Sequence, residues 1–342
     1  MSILDSLRES AAPAVAVEIT SARVSAASLE WRGDQPVVAA HTSEALPDGA
    51  LVPSLTAVNA RDRPAVLGAL TRVLERMGKP RRIGLIIPDV AGRVSLVRFA
   101  QVPARTQELD QLVRWQVRKS APFAIEDAQV SYVPGIHAED GQEFIVTLAK
   151  REVIQEYESL CAGAGAHAGL IDLATLNVIN VVLASSGAPS ADWLLVNLAP
   201  GYNTIALLRG PHLIFFRNRA TDADGTLADL VHQTAMYYED RLKGAGFSRV
   251  VLAGASAAGV SQAGDLDQIR RSLEERLKTP VDTVDPRAAA GLTDRITAAP
   301  ALLDALAPLV GLLLRDRAGV KACSGRISPP ARSTTSAASG CG

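Results

Sequence analysis

Residues placed to do chemistry are sparse in this chain. Three cysteines, Cys161, Cys323 and Cys341, are odd in number, widely spaced and without a C-x-x-C pair. Neither a disulfide framework nor a zinc site is expected from them, and a reducing cytosol fits. Five histidines (His41, His137, His167, His212, His232) are scattered, with no H-E-x-x-H spacing. No Ser/His/Asp set and no spaced carboxylate pair stands out. The glycine-rich stretch from Cys161 to Gly169 matches neither phosphate-loop pattern and follows a helix rather than a strand. It reads as a helix C-cap and return loop, with Cys161 packed on the apolar helix face. One cluster carries more interest. Arg114, Arg118 and Lys119 lie a helical turn apart beside Trp115. They form either a solvated basic face or a contact surface for a partner segment or acidic phospholipid headgroups.

The elements that would position such residues come from pattern. The 342 residues are 48% hydrophobic and 21% charged, with a formal net charge of -1. A folded protein of two ordinary lobes is expected, with no bulk attraction to nucleic acid or acidic lipid. The N-terminus lacks the pattern of a secretion signal, and the longest apolar stretch, Ala298 to Leu314, is interrupted by Pro300, Asp304 and Pro308. A core-packed helix is expected there rather than a membrane span. The tail from Arg317 to Gly342 is rich in Ser, Ala and Gly, without acidic or aromatic residues, and is expected to be disordered.

Strand-like runs at Val15–Ile19, Val24–Trp31 and Val37–Ala40 precede a helix with Val66, Leu67, Leu70, Val73, Leu74 and Met77 on one face. Gly78 and Pro80 end that helix, and an apolar run, Ile83–Ile87, follows. The same order returns about 180 residues later. Leu194–Leu198, Thr204–Leu208 and Leu213–Phe216 precede a helix with Leu227, Leu230, Val231, Thr234 and Tyr238 on one face, then Val250–Ala253. A β-β-β-α-β unit used twice predicts two similar α/β lobes across a cleft. First-lobe residues 14–190 contain extra material at about 94–150, and 191–316 make the second lobe.

Four segments resemble the type IV pilus assembly protein PilM family. Leu112 to Glu126, with Arg114, Trp115, Pro122 and Phe123, is similar to the family's helix leading into an R-W…I-P-F-P stretch. Ala149 to Tyr157 resembles its A-K-K-E-V-V…Y helix start, and Ile171-Asp172-Leu173 its V-D-V/I return strand. Leu195 to Ile205 resembles the V-D-I-G-A-G-x-T-T-I hairpin that all actin-like ATPases share. The likeness covers residues 14–316. It implies an actin-like, ribonuclease H-like duplicated fold with a small α+β subdomain inserted in the first lobe. It also implies a scaffold at the inner face of the cytoplasmic membrane, binding the N-terminal cytoplasmic peptide of a PilN-like protein and linking to the pilus motor ATPases. Arg114, Trp115, Arg118, Pro122 and Phe123 are the residues it nominates for the partner.

An actin-like site presents backbone N–H groups of two hairpin turns to the phosphates of ATP, with carboxylates around magnesium. Carried onto this chain, the resemblance nominates Ser21, Gly201, Thr204 and Gly254 for ATP and Glu18 for Mg. The pattern departs in several places. Glu18 stands for an Asp, Thr20 for a Gly, Asn197 for an Asp and Ala199 for a Gly. Asparagine cannot supply a carboxylate's charge, so catalysis is not expected. The alternatives are a nucleotide-gated actin-like ATPase and a small-molecule kinase of the same superfamily.

Overall fold

The computed structural model describes residues 13–186, 191–221, 226–259, 263–294 and 296–315. The tail expected to be disordered lies outside them. The first lobe opens with an antiparallel meander, β1 (Val15–Ile19), β2 (Arg23–Arg32) and β3 (Gln35–Ala45). Helix α1 (Arg63–Arg76) follows. The Asp62 side chain caps it by accepting from Ala65 N at 3.0 Å, and Pro64 sits in its first turn. Val66, Ala69, Leu70, Val73 and Leu74 form its buried stripe, the three-and-four spacing of an amphipathic helix. Gly78, at φ 80°, turns the chain into β4 (Arg82–Ile87), which pairs parallel with β1.

β5 (Arg93–Phe99), α2 (Thr106–Val117), β6 (Ala128–Ala138) and β7 (Gly141–Lys150) then leave the first sheet. They build a separate three-stranded sheet of order β5-β7-β6. This subdomain has its own core, in which Val113 and Val117 of α2 meet Phe99, Phe144, Val146 and Leu148. The chain returns through α3 (Arg151–Gly163), β8 (His167–Leu173) and α4 (Ala174–Ser186).

The second half repeats the plan with β9 (Asp192–Ala199), β10 (Tyr202–Arg209), β11 (His212–Ala220), α5 (Leu227–Leu242), β12 (Arg249–Ala253), α6 (Ala263–Leu277) and β13 (Val281–Thr283). Its sheet order is β11-β10-β9-β12-β13, and the matching five strands of the first sheet run β3-β2-β1-β4-β8. Two sheets with the same 3-2-1-4-5 order are the duplicated unit of an actin-like fold. Strand β9 shows how the halves join. Trp193 and Leu195 belong to the core shared with the first lobe, while Leu194, Val196 and Leu198 pack under α5 and α6. Both faces are buried, so the run reads as continuously apolar.

The last elements cross back. β14 (Gly291–Leu292) adds to the edge of the first sheet beside β3, and α7 (Pro300–Leu314) packs on α4 and on β1, β2 and β4. Residues from about 291 to 315 therefore belong with the first lobe, although the sequence places them in the second. The pairing strand is only two residues long and carries no pattern of its own. Beyond the end of α7, Arg315 makes a buried ion pair with Asp172 of β8 at 3.0 Å.

α4 and α7 meet at Gly311, where an added Cβ would lie 1.8 Å from the carbonyl oxygen of Asn177. Gly-to-Ala in an open helix gains about 0.5–1 kcal/mol. Here overpacking, typically about 1–3 kcal/mol, decides the sign. Gly311→Ala is expected to lower the urea midpoint with little change in slope.

Candidate functional site at the interlobe cleft

The ends of β1, β9 and β12 bring three turns to one place. Glu18, Ser21, Arg23, Asn197, Gly254 and Asp304 are among the residues lining the cleft between the lobes. The free space there is about 30 Å³, against some 300–1,000 Å³ for ordinary ligand pockets.

Several backbone donors of these turns are taken within the chain. In the first, the Thr20 hydroxyl accepts from Ala22 N (3.3 Å) and Arg23 N (3.1 Å) and donates to Arg23 O (3.1 Å). The second turn contains Pro200, which has no N–H, followed by Gly201 at φ 82°, the Pro-Gly arrangement of a type II turn. The third turn requires its glycine. Gly254 has φ 77°, and a Cβ would fall 1.9 Å from Leu198 O. The Asp304 carboxylate accepts from Gly254 N and Ser256 N, each at 2.7 Å. From the opposite lobe, Arg23 reaches Ser256 O and Ser256 Oγ, both at 3.4 Å.

Behind the turns lies a buried polar network. Asp89, fully buried after β4, accepts from Thr175 N (2.9 Å), Thr204 Oγ1 (2.8 Å) and the Thr175 hydroxyl. Asn197 donates to Thr175 Oγ1 at 2.8 Å, and Asp89 N donates to Tyr202 Oη at 2.9 Å. Burial pushes the Asp89 carboxyl above its ordinary value, while the Thr175 and Thr204 hydrogen bonds pull it back. Glu18, 5% exposed, is raised to about 7. Burial is the main cause, with Arg23 opposing it and Asp304 and Asp89 adding to it.

Of the residues nominated for nucleotide and metal, Glu18, Ser21 and Gly254 line the cleft. Gly201 sits exposed at its turn tip, and Thr204 is buried in the Asp89 network; neither lines the cavity. Sequence reasoning missed Asp304 and Asp89. The available signals were a lone acid inside an apolar helix and an acid directly after a strand-ending proline. On the inserted subdomain, Trp115 is 68% exposed and shares a hollow with Gln116, Arg118 and Lys119. Pro122 is exposed beyond them, Arg114 is paired with Asp110 at 2.8 Å, and Phe123 packs against the subdomain core.

The two-lobed body with a cleft at its strand ends has the actin-like ATPase fold. Over 89% of its length the chain is similar to 98% of a chain from a PilM-PilN type IV pilus biogenesis complex, with a TM-score of 0.73 and 16% identity. It is also similar to a protein of actin-like ATPase fold and unknown function from Bacteroides thetaiotaomicron VPI-5482 (TM-score 0.47, 9% identity, 79% of this chain and 90% of that). A third likeness is to the cytoplasmic domain of EpsL, an inner-membrane component of the type II secretion system of Vibrio cholerae (0.44, 10%, 70% and 81%). At these identities the likeness is one of fold. No protein-family model matches the chain, and no curated protein matches it in sequence.

A magnesium nucleotide, which this fold implies, does not fit the residues present in this arrangement. The third turn's amides already hold a carboxylate, the first turn's amides hold a hydroxyl, and the space admits little more than a water. Among the described residues no group of three or more acidic, His or Cys side chains is placed to hold a metal, and no helix is long and apolar enough to cross a membrane.

The Glu18 environment sets a pH dependence. The unfolded chain ionises Glu18 near its ordinary 4.5 and the folded chain near 7. Its stabilising share is complete below 4.5 and is lost as pH rises through 7, about 3 kcal/mol in all. Glu18→Gln should remove that loss, so the variant gains on the wild type in denaturant midpoint between pH 5 and pH 8. Parallel pH profiles for the two proteins would contradict this assignment.

Proposed function

We propose that this chain is a non-catalytic scaffold of a type IV pilus, or related pseudopilus, inner-membrane assembly complex. It works at the inner face of the cytoplasmic membrane, holds the N-terminal cytoplasmic segment of a PilN-like membrane protein, and connects that protein to the motor ATPases. The observation that carries this reading is the fold shared with the PilM-PilN complex chain over nearly the whole of both chains. The geometry of the cleft supports a structural body over a turnover site, because its turn donors are committed within the chain.

The inserted subdomain offers the docking surface. A three-stranded sheet with a private core is a rigid platform, and Trp115, Arg118 and Pro122 stand exposed along the segment from α2 toward β6. An extended peptide gains specificity from side-chain pockets beside such a segment. Exposed aromatic and arginine side chains are the residue types that most often dominate binding energy. Arg114 and Phe123 serve the surface indirectly, through Asp110 and through the subdomain core.

The test is calorimetric titration of the purified chain with the N-terminal cytoplasmic peptide of its PilN-like partner. Trp115→Ala is expected to weaken binding roughly 10- to 100-fold, the loss of about 1–3 kcal/mol typical of an aromatic anchor. The variant should unfold like the wild type, since Trp115 is mostly outside the core. Absence of binding by the wild-type chain would sink the proposal.

A further inference from the structure

We infer that the third turn of the cleft is an oxyanion-binding nest whose resident anion is the chain's own Asp304, so that the lobes are held closed by an internal ligand in place of a phosphoryl group. Successive amides around a left-handed glycine form a concavity that favours an anion. Gly254, at φ 77°, supplies that geometry. The amides of Gly254 and Ser256 each donate to one Asp304 oxygen, at 2.7 Å. Both bonds lie at the short end of the ordinary N–H···O range. Arg23 approaches the same turn from the other lobe through Ser256, and its Nε is buried without a partner among the described residues. The nest therefore has a cation beside it and a donor to spare.

An internal carboxylate competes with any free anion at a high effective concentration, because its helix is already packed in place. α7 carries Asp304 near one end and buries Leu306, Leu309, Val310 and Leu313 in the core shared by the lobes. A free oxyanion must displace a group that cannot diffuse away. Removing the carboxylate leaves two amides, the Ser256 hydroxyl and the Arg23 guanidinium around a vacated space of carboxylate size. That set suits a small phosphoryl oxyanion and remains too small for a nucleotide. The inference concerns the cleft and is independent of the partner surface on the inserted subdomain.

The experiment is thermal unfolding in inorganic phosphate, with chloride matched for ionic strength, and in magnesium-ATP. The wild type is expected to show no phosphate-specific shift. Asp304→Ala should gain one of about 2 °C or more at tens of millimolar phosphate, and Arg23→Ala added to it should abolish the gain. Magnesium-ATP should do no more than phosphate. An equal phosphate shift in wild type and Asp304→Ala, or none in a folded Asp304→Ala, overturns the inference. Should that variant fail to fold, hydrogen exchange of the wild type decides: protected Gly254 and Ser256 amides are expected, and fast exchange at both refutes a resident carboxylate.

Discussion

A carboxylate with no access to water ties the two lobes together, and much of the molecule is arranged to tolerate it. Asp89 accepts from Thr175, at the start of α4 in the first lobe, and from Thr204, on β10 in the second. A buried carboxyl is tolerated only when its lone pairs are met by donors. Here those donors come from both halves, so the closed arrangement of the lobes is part of the solvation of Asp89. Asn197 becomes intelligible in this light. Its Nδ2 donates to Thr175 Oγ1, whose own proton goes to Asp89. An aspartate at 197 has no proton to give while ionised, and it would set a negative charge beside the buried Asp89 carboxyl. The departure from the actin-like pattern that reads in the sequence as a lost metal ligand is, in the folded chain, a hydrogen-bond donor gained.

The same economy runs through the cleft. Thr20 folds its hydroxyl back onto the turn that follows it. Pro200 withdraws a donor from the second turn, and Asp304 takes two from the third. Together they occupy amides of the first and third turns with bonds that stabilise the chain without any ligand.

Local pattern announced much of this architecture. The apolar stripe of α1 and the repeated hairpins are visible because each depends on neighbours within a few residues. What escaped depends on distance. The two-residue β14 has no periodicity and is defined only by its partner β3. Asp304 looked like an interruption of an apolar helix because the amides that donate to it lie some fifty positions away. Thr204 was legible as a member of a family hairpin, but whether its hydroxyl faces a ligand or a buried aspartate is decided by a strand end more than a hundred residues earlier.

Helix α7 draws these constraints into one element. Near its start, Asp304 is bonded to a turn of the second lobe, and past its end Arg315 is paired with Asp172 inside the first. Between them the helix presses so closely on α4 that only a glycine passes at position 311. An opening of the cleft by lobe rotation must therefore break the Asp304 bonds, since the other end of the helix is fixed by a buried ion pair whose separation leaves two charges unsolvated. Packing against α4 resists sliding of the helix in the same way, because interiors at crystal-like density do not deform continuously. This apolar helix, with a polar residue at each end, thus adds a second tie between the lobes to the one made through Asp89.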